Sequence, residues 1–448
     1  MKRKNYLYSS ASILIGFEFK FGLSYTKFWN PTLSSNPDVQ RAHRGQCRKC
    51  RIKLKIKFSA SNLSDCFFLR TFAQMSLKIL QLGKFYPVGG GVEKVMYDLV
   101  VGLSNRGIAC DMLCAYDGKG RTEINVSPQN KVICTMTLLK KYATMISPEM
   151  MLRLRRIASD YDIIHVHHPD PMAALSLWVS GYKGKVVLHW HSDIVKQKKL
   201  LSFYMPLQNW LIHRADFIVG TSPIYISNSD HLTGVQQKCT YLPIGIKPIV
   251  PTADGVKKIK EQYAGKRIVF SLGRLVHYKG YRFLVDAARF LDDDYVILIG
   301  GSGPLHDELQ KQIDYHGLSE RVRLLGRISD EDLPSYYGAC DVYCLSSIMK
   351  TEAFAIVQIE AMSCGKPVIS CNIEGSGVPW VNKDGESGLV VEPEDGKALA
   401  DAIRRIITDK ELYRQLSQGA RQRFADMFTE KKMIDKCLEL YQQVLQRS

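Results

Sequence analysis

The sequence predicts an α/β protein of two doubly wound, Rossmann-like domains facing across a cleft, and three observations carry that expectation. From Met75 onward, short apolar runs alternate with amphipathic stretches of helical period, the pattern of a parallel sheet covered on both faces. The alternation breaks once, at the polar stretch 252–265, and then begins again. The chemistry-bearing clusters fall just after predicted strands, where ligands bind in such folds. A length of 448 residues also exceeds the usual size of one domain.

In order, the first series has strands expected at 78–83, 109–115, 163–167, 186–191 and 217–221. A helix over 92–105 stops at Gly107, a residue suited to a left-handed cap. The second series has strands expected at 267–273, 295–300, 322–326, 342–346, 367–371 and 388–391. Three periodic helices follow, at 399–407, 412–424 and 431–445, expected along the outside. The expected organisation is a basic extension over 1–74, a first domain over 75–246, a second over 247–428 and a C-terminal helix over 429–448.

The formal charge of +17 is unevenly spread. Residues 1–74 hold 14 Lys and Arg against 3 Asp and Glu, a net of +11, which leaves +6 for the remaining 374. The head is either a tail for nucleic acid or acidic lipid, or an extension with no fold of its own, translated from upstream of a start at Met75. Its basic run 41–57 lacks aromatic interleaving, which favours the second reading. Cys47-x-x-Cys50 has no second pair at zinc-finger spacing. No run of eighteen apolar residues occurs, and the stretch 11–17 is too short to span a bilayer. It also lacks a leader-type cleavage site. The twelve cysteines sit mostly inside apolar runs, as buried free thiols do in a reducing compartment, so the cytoplasm is expected.

Four clusters carry chemistry. Gly89-Gly90-Gly91 opens a helix, so backbone can approach an anion at the helix N-terminus; a plain tight turn is the alternative. Arg274 and Lys279 flank a helix start and together suit a diphosphate; singly, each reads as a solvated cation. Glu352 lies in a loop, and Glu360 lies in the following helix among Ile356, Ile359 and Met362. An ionised carboxylate offers only acceptors, so an inward Glu360 suits vicinal hydroxyls. His191, in His189-Trp-His191-Ser-Asp193, can exchange a proton or hydrogen bond with a sugar, or be a structural histidine. His165, His167 and His168 suggest a metal, but consecutive strand positions face opposite ways and no carboxylate joins them, so none is expected.

Together and in this order, these motifs resemble the large retaining family of GT-B glycosyltransferases, often called group 1 or family 4. The resemblance runs from about Met75 to the C-terminus. It rests on Gly89-Gly90-Gly91-Val-Glu, His191-Ser-Asp, Leu242-Pro-Ile-Gly245, Gly273-Arg274-Leu with Lys279-Gly280, and Gly300-Gly-Ser-Gly303-Pro. Glu352 and Glu360 with seven residues between, Gly375-Ser-Gly377-Val-Pro379 and Gly388-Leu-Val-Val-Glu-Pro393 complete it. The His191 segment is similar to bacterial enzymes that add mannose or rhamnose to surface polysaccharides.

The resemblance implies a nucleotide-sugar donor, a glycan or lipid-linked glycan acceptor, retention of configuration and no metal. Arg274 and Lys279 would neutralise the donor diphosphate, and Glu360 would bind the ribose. Glu352, with the backbone of Phe354, Ala355 and Ile356, would hold the transferred sugar. Arg327 and its loop would meet the base, Gly90 and Gly91 would close over the phosphates, and His191 would contact the reacting sugar or assist the acceptor hydroxyl. Two positions depart from the family: Ala355 and Trp380 stand where many members have Gly, and Glu or Ser. Sugar-nucleotide epimerase and sugar phosphorylase are the enzymatic alternatives, though no pyridoxal-phosphate lysine context occurs. A nucleic-acid-binding protein is the third reading, weakened because little of the charge excess lies on the core. Contact with the inner membrane face is suggested by segment 196–204, basic and then apolar.

Overall fold

The computed structural model describes residues 77–141, 144–194 and 198–447. The basic head, its Cys47-x-x-Cys50 and the start of the 196–204 segment lie outside the described residues.

The first half forms β1 (Lys78–Tyr86), β2 (Ala109–Tyr116), β3 (Thr122–Asn125), β4 (Lys131–Thr135), β5 (Leu139–Lys141) and β6 (Thr144–Ile146). It continues with β7 (Ile163–His168), β8 (Lys185–Trp190), β9 (Phe217–Gly220) and β10 (Cys239–Tyr241). Eight of these make one sheet in the order β10-β9-β8-β7-β1-β2-β4-β3, parallel except for the β3–β4 pair; β5 and β6 form a separate hairpin. Central strands are buried on both faces, so they read as unbroken apolar runs: Ile79, Leu80 and Leu82 are fully covered. The sequence reading misses β3, β4, β10 and the hairpin. β3 is a polar edge strand, Thr-Glu-Ile-Asn, half-buried at alternate positions, which carries no apolar signal. Helix α1 (Gly91–Ser104) covers β1 and β2 and ends at Gly107, whose φ of 76° is the expected left-handed stop.

The second half forms β11 (Arg267–Leu272), β12 (Tyr295–Gly300), β13 (Val322–Gly326), β14 (Val342–Leu345), β15 (Val368–Cys371) and β16 (Gly388–Val391). All are parallel, in the order β13-β12-β11-β14-β15-β16. The order reverses between β11 and β14, and in the first sheet it reverses between β1 and β7. Each reversal opens a crevice at the strands' carboxyl ends. Helices α2 (Tyr281–Ala287) and α3 (Ile356–Ser363) start at the crevice of the second sheet, after β11 and β14.

The chain passes between the halves twice, side by side. Ile246 N–H donates to Phe428 O at 2.9 Å, and Glu430 N–H donates to Ile246 O at 2.9 Å. A β-carbon on Gly245 would lie 2.3 Å from Thr429 O, so Leu242-Pro-Ile-Gly245 ends in the residue this crossing requires. Trp380 packs edge-on against Tyr241 and Phe428 beside this crossing.

The last helix differs from expectation. α4 (Glu430–Gln446) is not an outer layer; it returns to the first half and buries Met433, Ile434, Cys437, Leu438, Leu440, Tyr441 and Val444. Ile434 packs on Gly102 of α1, Asp435 pairs with Arg106, and Tyr441 reaches into the first sheet. Its apolar stripe was legible in the sequence, but the surface that covers the stripe was not. Nine cysteines among the described residues are free thiols, seven of them buried.

Candidate active site

At the second crevice, the β11 and β14 loops are laced together. Ser346 Oγ donates to Lys279 O at 2.9 Å, and Ile348 N–H donates to Tyr278 O. Gly280 stands at φ 63° between them, and a β-carbon there would lie 2.1 Å from Ser346 O. Glycine at 280 therefore lets the two loops meet and lets Lys279 turn inward. Lys279 Nζ lies 2.5 Å from Glu352 Oε2, both residues being buried, and Ser347 Oγ donates to the same oxygen at 2.9 Å. The ammonium also lies against the Gly273 backbone, beside Arg274. Arg274 is exposed and has no ion pair among the described residues; the same holds for Arg327, just past β13. Gly301 N–H donates to Gly326 O at 2.7 Å, so the Arg327 loop borders the Gly300-Gly301 turn.

Glu360 sits on the second turn of α3, and its Oε2 accepts from Tyr337 Oη at 2.6 Å. Desolvation pushes its carboxyl above the ordinary range, and the tyrosine hydrogen bond and Lys94 of α1 partly counter this. Ala355 precedes α3 at φ 60°, the left-handed region that favours glycine. A glycine would hold this geometry freely, whereas Ala355 holds it under strain. The Phe354 ring is buried edge-on against Phe428, which leaves only its backbone to face a ligand.

The first half supplies the opposite wall. Gly90 caps α1 in extended conformation with no side-chain hydrogen bond to the helix N–H groups. A β-carbon on Gly91 would come within 3.3 Å of Ile356 Cδ1, which places the start of α1 against the start of α3. Asp193 of the His191-Ser-Asp193 segment pairs with Lys350 at 3.4 Å, tying that segment to the loop that carries Glu352.

His191 lies just past β8. Its Nε2 is 2.8 Å from His167 Nδ1, and its ring stacks on His189 at 3.9 Å. Residues two apart on β7 and β8 share a face, and the register pairs His167 with His189. His165, His167, His189 and His191 therefore form one buried patch, while His168 faces the other way and stacks on Trp190 at 3.7 Å. Burial pushes all five imidazoles below their ordinary value, His168 and His189 to about 3. His191 is thus a neutral ring at physiological pH. One nitrogen each of His165, His167 and His189 lie within 4.8 Å of one another, a spacing that could hold a metal ion. Both nitrogens of His167 already have partners, Gln81 and His191, so a three-histidine site would break one of those bonds.

The two crevices between them offer three cations, two carboxylates, two helix starts and a neutral imidazole. That set can bind a diphosphate ester and the hydroxyls on either side of it. The sequence reading missed Tyr337, Lys350, Gln81 and Tyr441. Gln81 alone left a signal, a polar residue inside the apolar run of β1.

A family model described as "Glycosyl transferases group 1" matches residues 254–423, and one described as "Glycosyltransferase Family 4" matches 89–248. O-antigen chain mannosyltransferase C of Escherichia coli is 32% identical over 373 residues, covering 83% of this chain and 99% of that protein. D-rhamnosyltransferase WbpZ of Pseudomonas aeruginosa is 29% identical over 358 residues, 79% of this chain and 92% of the relative. Among solved structures, Anabaena Alr3699/HepE in complex with UDP superposes with a TM-score of 0.67 at 20% identity, covering 82% of this chain and all of that one. Sucrose-phosphate synthase from Thermosynechococcus elongatus gives 0.66 at 23% identity, over 83% and 100%. These likenesses place both halves in one GT-B architecture, and the chain belongs to the group 1, family 4 glycosyltransferases.

Proposed function

We propose that the protein transfers a hexose of the mannose, rhamnose or glucose type from a nucleotide-sugar to a glycan or lipid-linked glycan, with retention, in cell-surface polysaccharide biosynthesis. The observation that carries this reading is the grouping at the β11/β14 crevice. Arg274 is unpaired, Lys279 is buried, and Glu360 keeps its second carboxylate oxygen without a partner among the described residues. In this reading the cations take the diphosphate and stabilise it as it leaves. Glu360 accepts from the ribose hydroxyls, and Arg327 lies toward the base. Glu352 is already bound by Lys279 and Ser347, so it serves as an acceptor for sugar hydroxyls and not as a nucleophile. Charge compensation by Arg, Lys and helix starts needs no metal. The mannosyl- and rhamnosyltransferase relatives support the sugar class.

Thermal unfolding with UDP-, GDP- and dTDP-sugars, without added metal, tests the donor site. One nucleotide class should raise the melting temperature, and Glu360→Ala should weaken its binding about 10- to 100-fold, the loss of hydrogen bonds to a charged group. No shift with any donor from folded protein would leave only the fold standing.

A lipid-linked acceptor would bring the protein to the inner membrane face. No helix among the described residues is long and apolar enough to cross a membrane. Phe203, 84% exposed on the helix Lys198–Arg214, is the proposed point of contact. Co-sedimentation with anionic liposomes is expected at low salt and reduced by Phe203→Ser; complete failure to co-sediment removes this part of the reading.

A further inference from the structure

Gln81 lies at the centre of the first sheet with no exposed surface, and it is the hub of a chain of directed hydrogen bonds. Its Nε2–H donates to Tyr441 Oη of α4 at 3.0 Å, and its Oε1 faces His167 Nε2 at 2.8 Å. An amide oxygen only accepts, so His167 carries its proton on Nε2 and a lone pair on Nδ1. His191 Nε2, 2.8 Å from that lone pair, must then be the protonated nitrogen of its ring. Tyr441, accepting from Gln81, directs its own proton to His165 Nδ1 at 2.7 Å. Both arms of the network take their direction from the Gln81 amide. Turning the Gln81 amide over would reverse them both and put the proton of His191 on Nδ1.

We propose that Gln81 and Tyr441 are positioning residues that hold His191 as the Nε2–H tautomer, presenting Nδ1 as a hydrogen-bond acceptor to a hydroxyl of the sugar or of the acceptor. The proposal rests on the reading of His191 as the group facing the reacting sugar. It gives α4 a role in the site: Tyr441, 360 residues along the chain from Gln81, helps decide what one imidazole offers. The rings are fully or nearly fully buried, so water cannot supply the missing partner when one member is removed. Lys84 is a cation whose field reaches both His167 and His191, and its ammonium donates to Pro169 O.

Three variants and one spectroscopic measurement test this. Nitrogen-15 NMR of histidine-labelled protein reads the tautomer directly and needs no substrate: His191 should be protonated on Nε2 in the wild type and become a mixture in Gln81→Leu and Tyr441→Phe. With donor and acceptor, Gln81→Leu should lower kcat in proportion to the Nε2–H fraction that the NMR reads, with the donor KM little changed. Tyr441→Phe keeps the ring that fills the sheet surface and should lower kcat by a smaller factor. Gln81→Glu, an acceptor toward both neighbours, should restore the Nε2–H tautomer and most of the activity. A wild-type His191 protonated on Nδ1, or a tautomer unmoved in folded Gln81→Leu, overturns the proposal, as does a fall in activity that Gln81→Glu does not rescue. A wild type that turns over no donor sinks the transferase reading instead, while the NMR result still decides the relay.

Discussion

Lys279→Ala is expected to lower kcat about 100- to 1000-fold, the usual cost of deleting one preorganised charge from a site where negative charge develops. It should also destabilise the protein. Lys279 and Glu352 are both nearly covered, at 10% and 11% side-chain exposure, so removing the ammonium leaves a buried carboxylate with Ser347 as its one remaining donor among the described residues. Stranding one member of a buried pair costs about 3–5 kcal/mol. The two effects separate in the double variant. Adding Glu352→Gln to Lys279→Ala removes the stranded charge, so thermal stability should recover while transfer stays low. Steady-state rates and melting curves on the three proteins settle the matter. A Lys279→Ala enzyme within two-fold of wild type would remove Lys279 from the reaction.

Stability is expected to fall steeply in mild acid. A histidine whose value is depressed on folding binds its proton more readily when unfolded. Its contribution is therefore complete above the ordinary value near 6.5 and lost as pH falls toward the folded value. For His168 and His189, both held near 3 by burial, this predicts a loss of about 4 kcal/mol for the pair between pH 7 and pH 5. His165, His167 and His191 are shifted the same way by burial and by one another, and they add to it. The raised carboxyls of Asp98, Asp170 and Glu360 pull in the opposite direction, from their raised folded values down to the ordinary carboxylate range. Urea unfolding at pH 7 and pH 5 measures the difference. An unchanged midpoint would show that these rings take up protons without opening the fold.

How much of this was legible depends on how local each cause is. Ten of the eleven expected strands match observed ones to within two residues at each end, because a buried parallel strand writes its burial into a continuous apolar run. The exception is the first, which starts as expected at Lys78 but runs on to Tyr86. The polar edge strand Thr122–Asn125 wrote nothing of the kind. Glycines whose reason is local showed themselves: Gly107 as a helix stop and Gly280 beside Lys279 are visible as residue types in place. The motif positions Arg274, Lys279, Glu352 and Glu360 were legible as types and spacings, yet their partners were not. Tyr337 and Ser347 reach the two carboxylates only once α3 and the β14 loop are folded.

The histidines show the division most plainly. Alternation along β7 separated His167 from His168 correctly, but it could not say that His189 and His191 of the neighbouring strand complete the same face, because cross-strand register is not a property of either strand alone. The sequence by itself determined two parallel-sheet halves, the order of their strands along the chain and the residue types at the carboxyl ends, since each follows from local period and turn chemistry. Only the tertiary structure decided which of those residues meet, that the last helix returns to the first sheet, and that Gln81, Tyr441, His167 and His191 join in one hydrogen-bonded network. Those outcomes depend on contacts between segments hundreds of residues apart, whose geometry exists only when both sheets and α4 have packed.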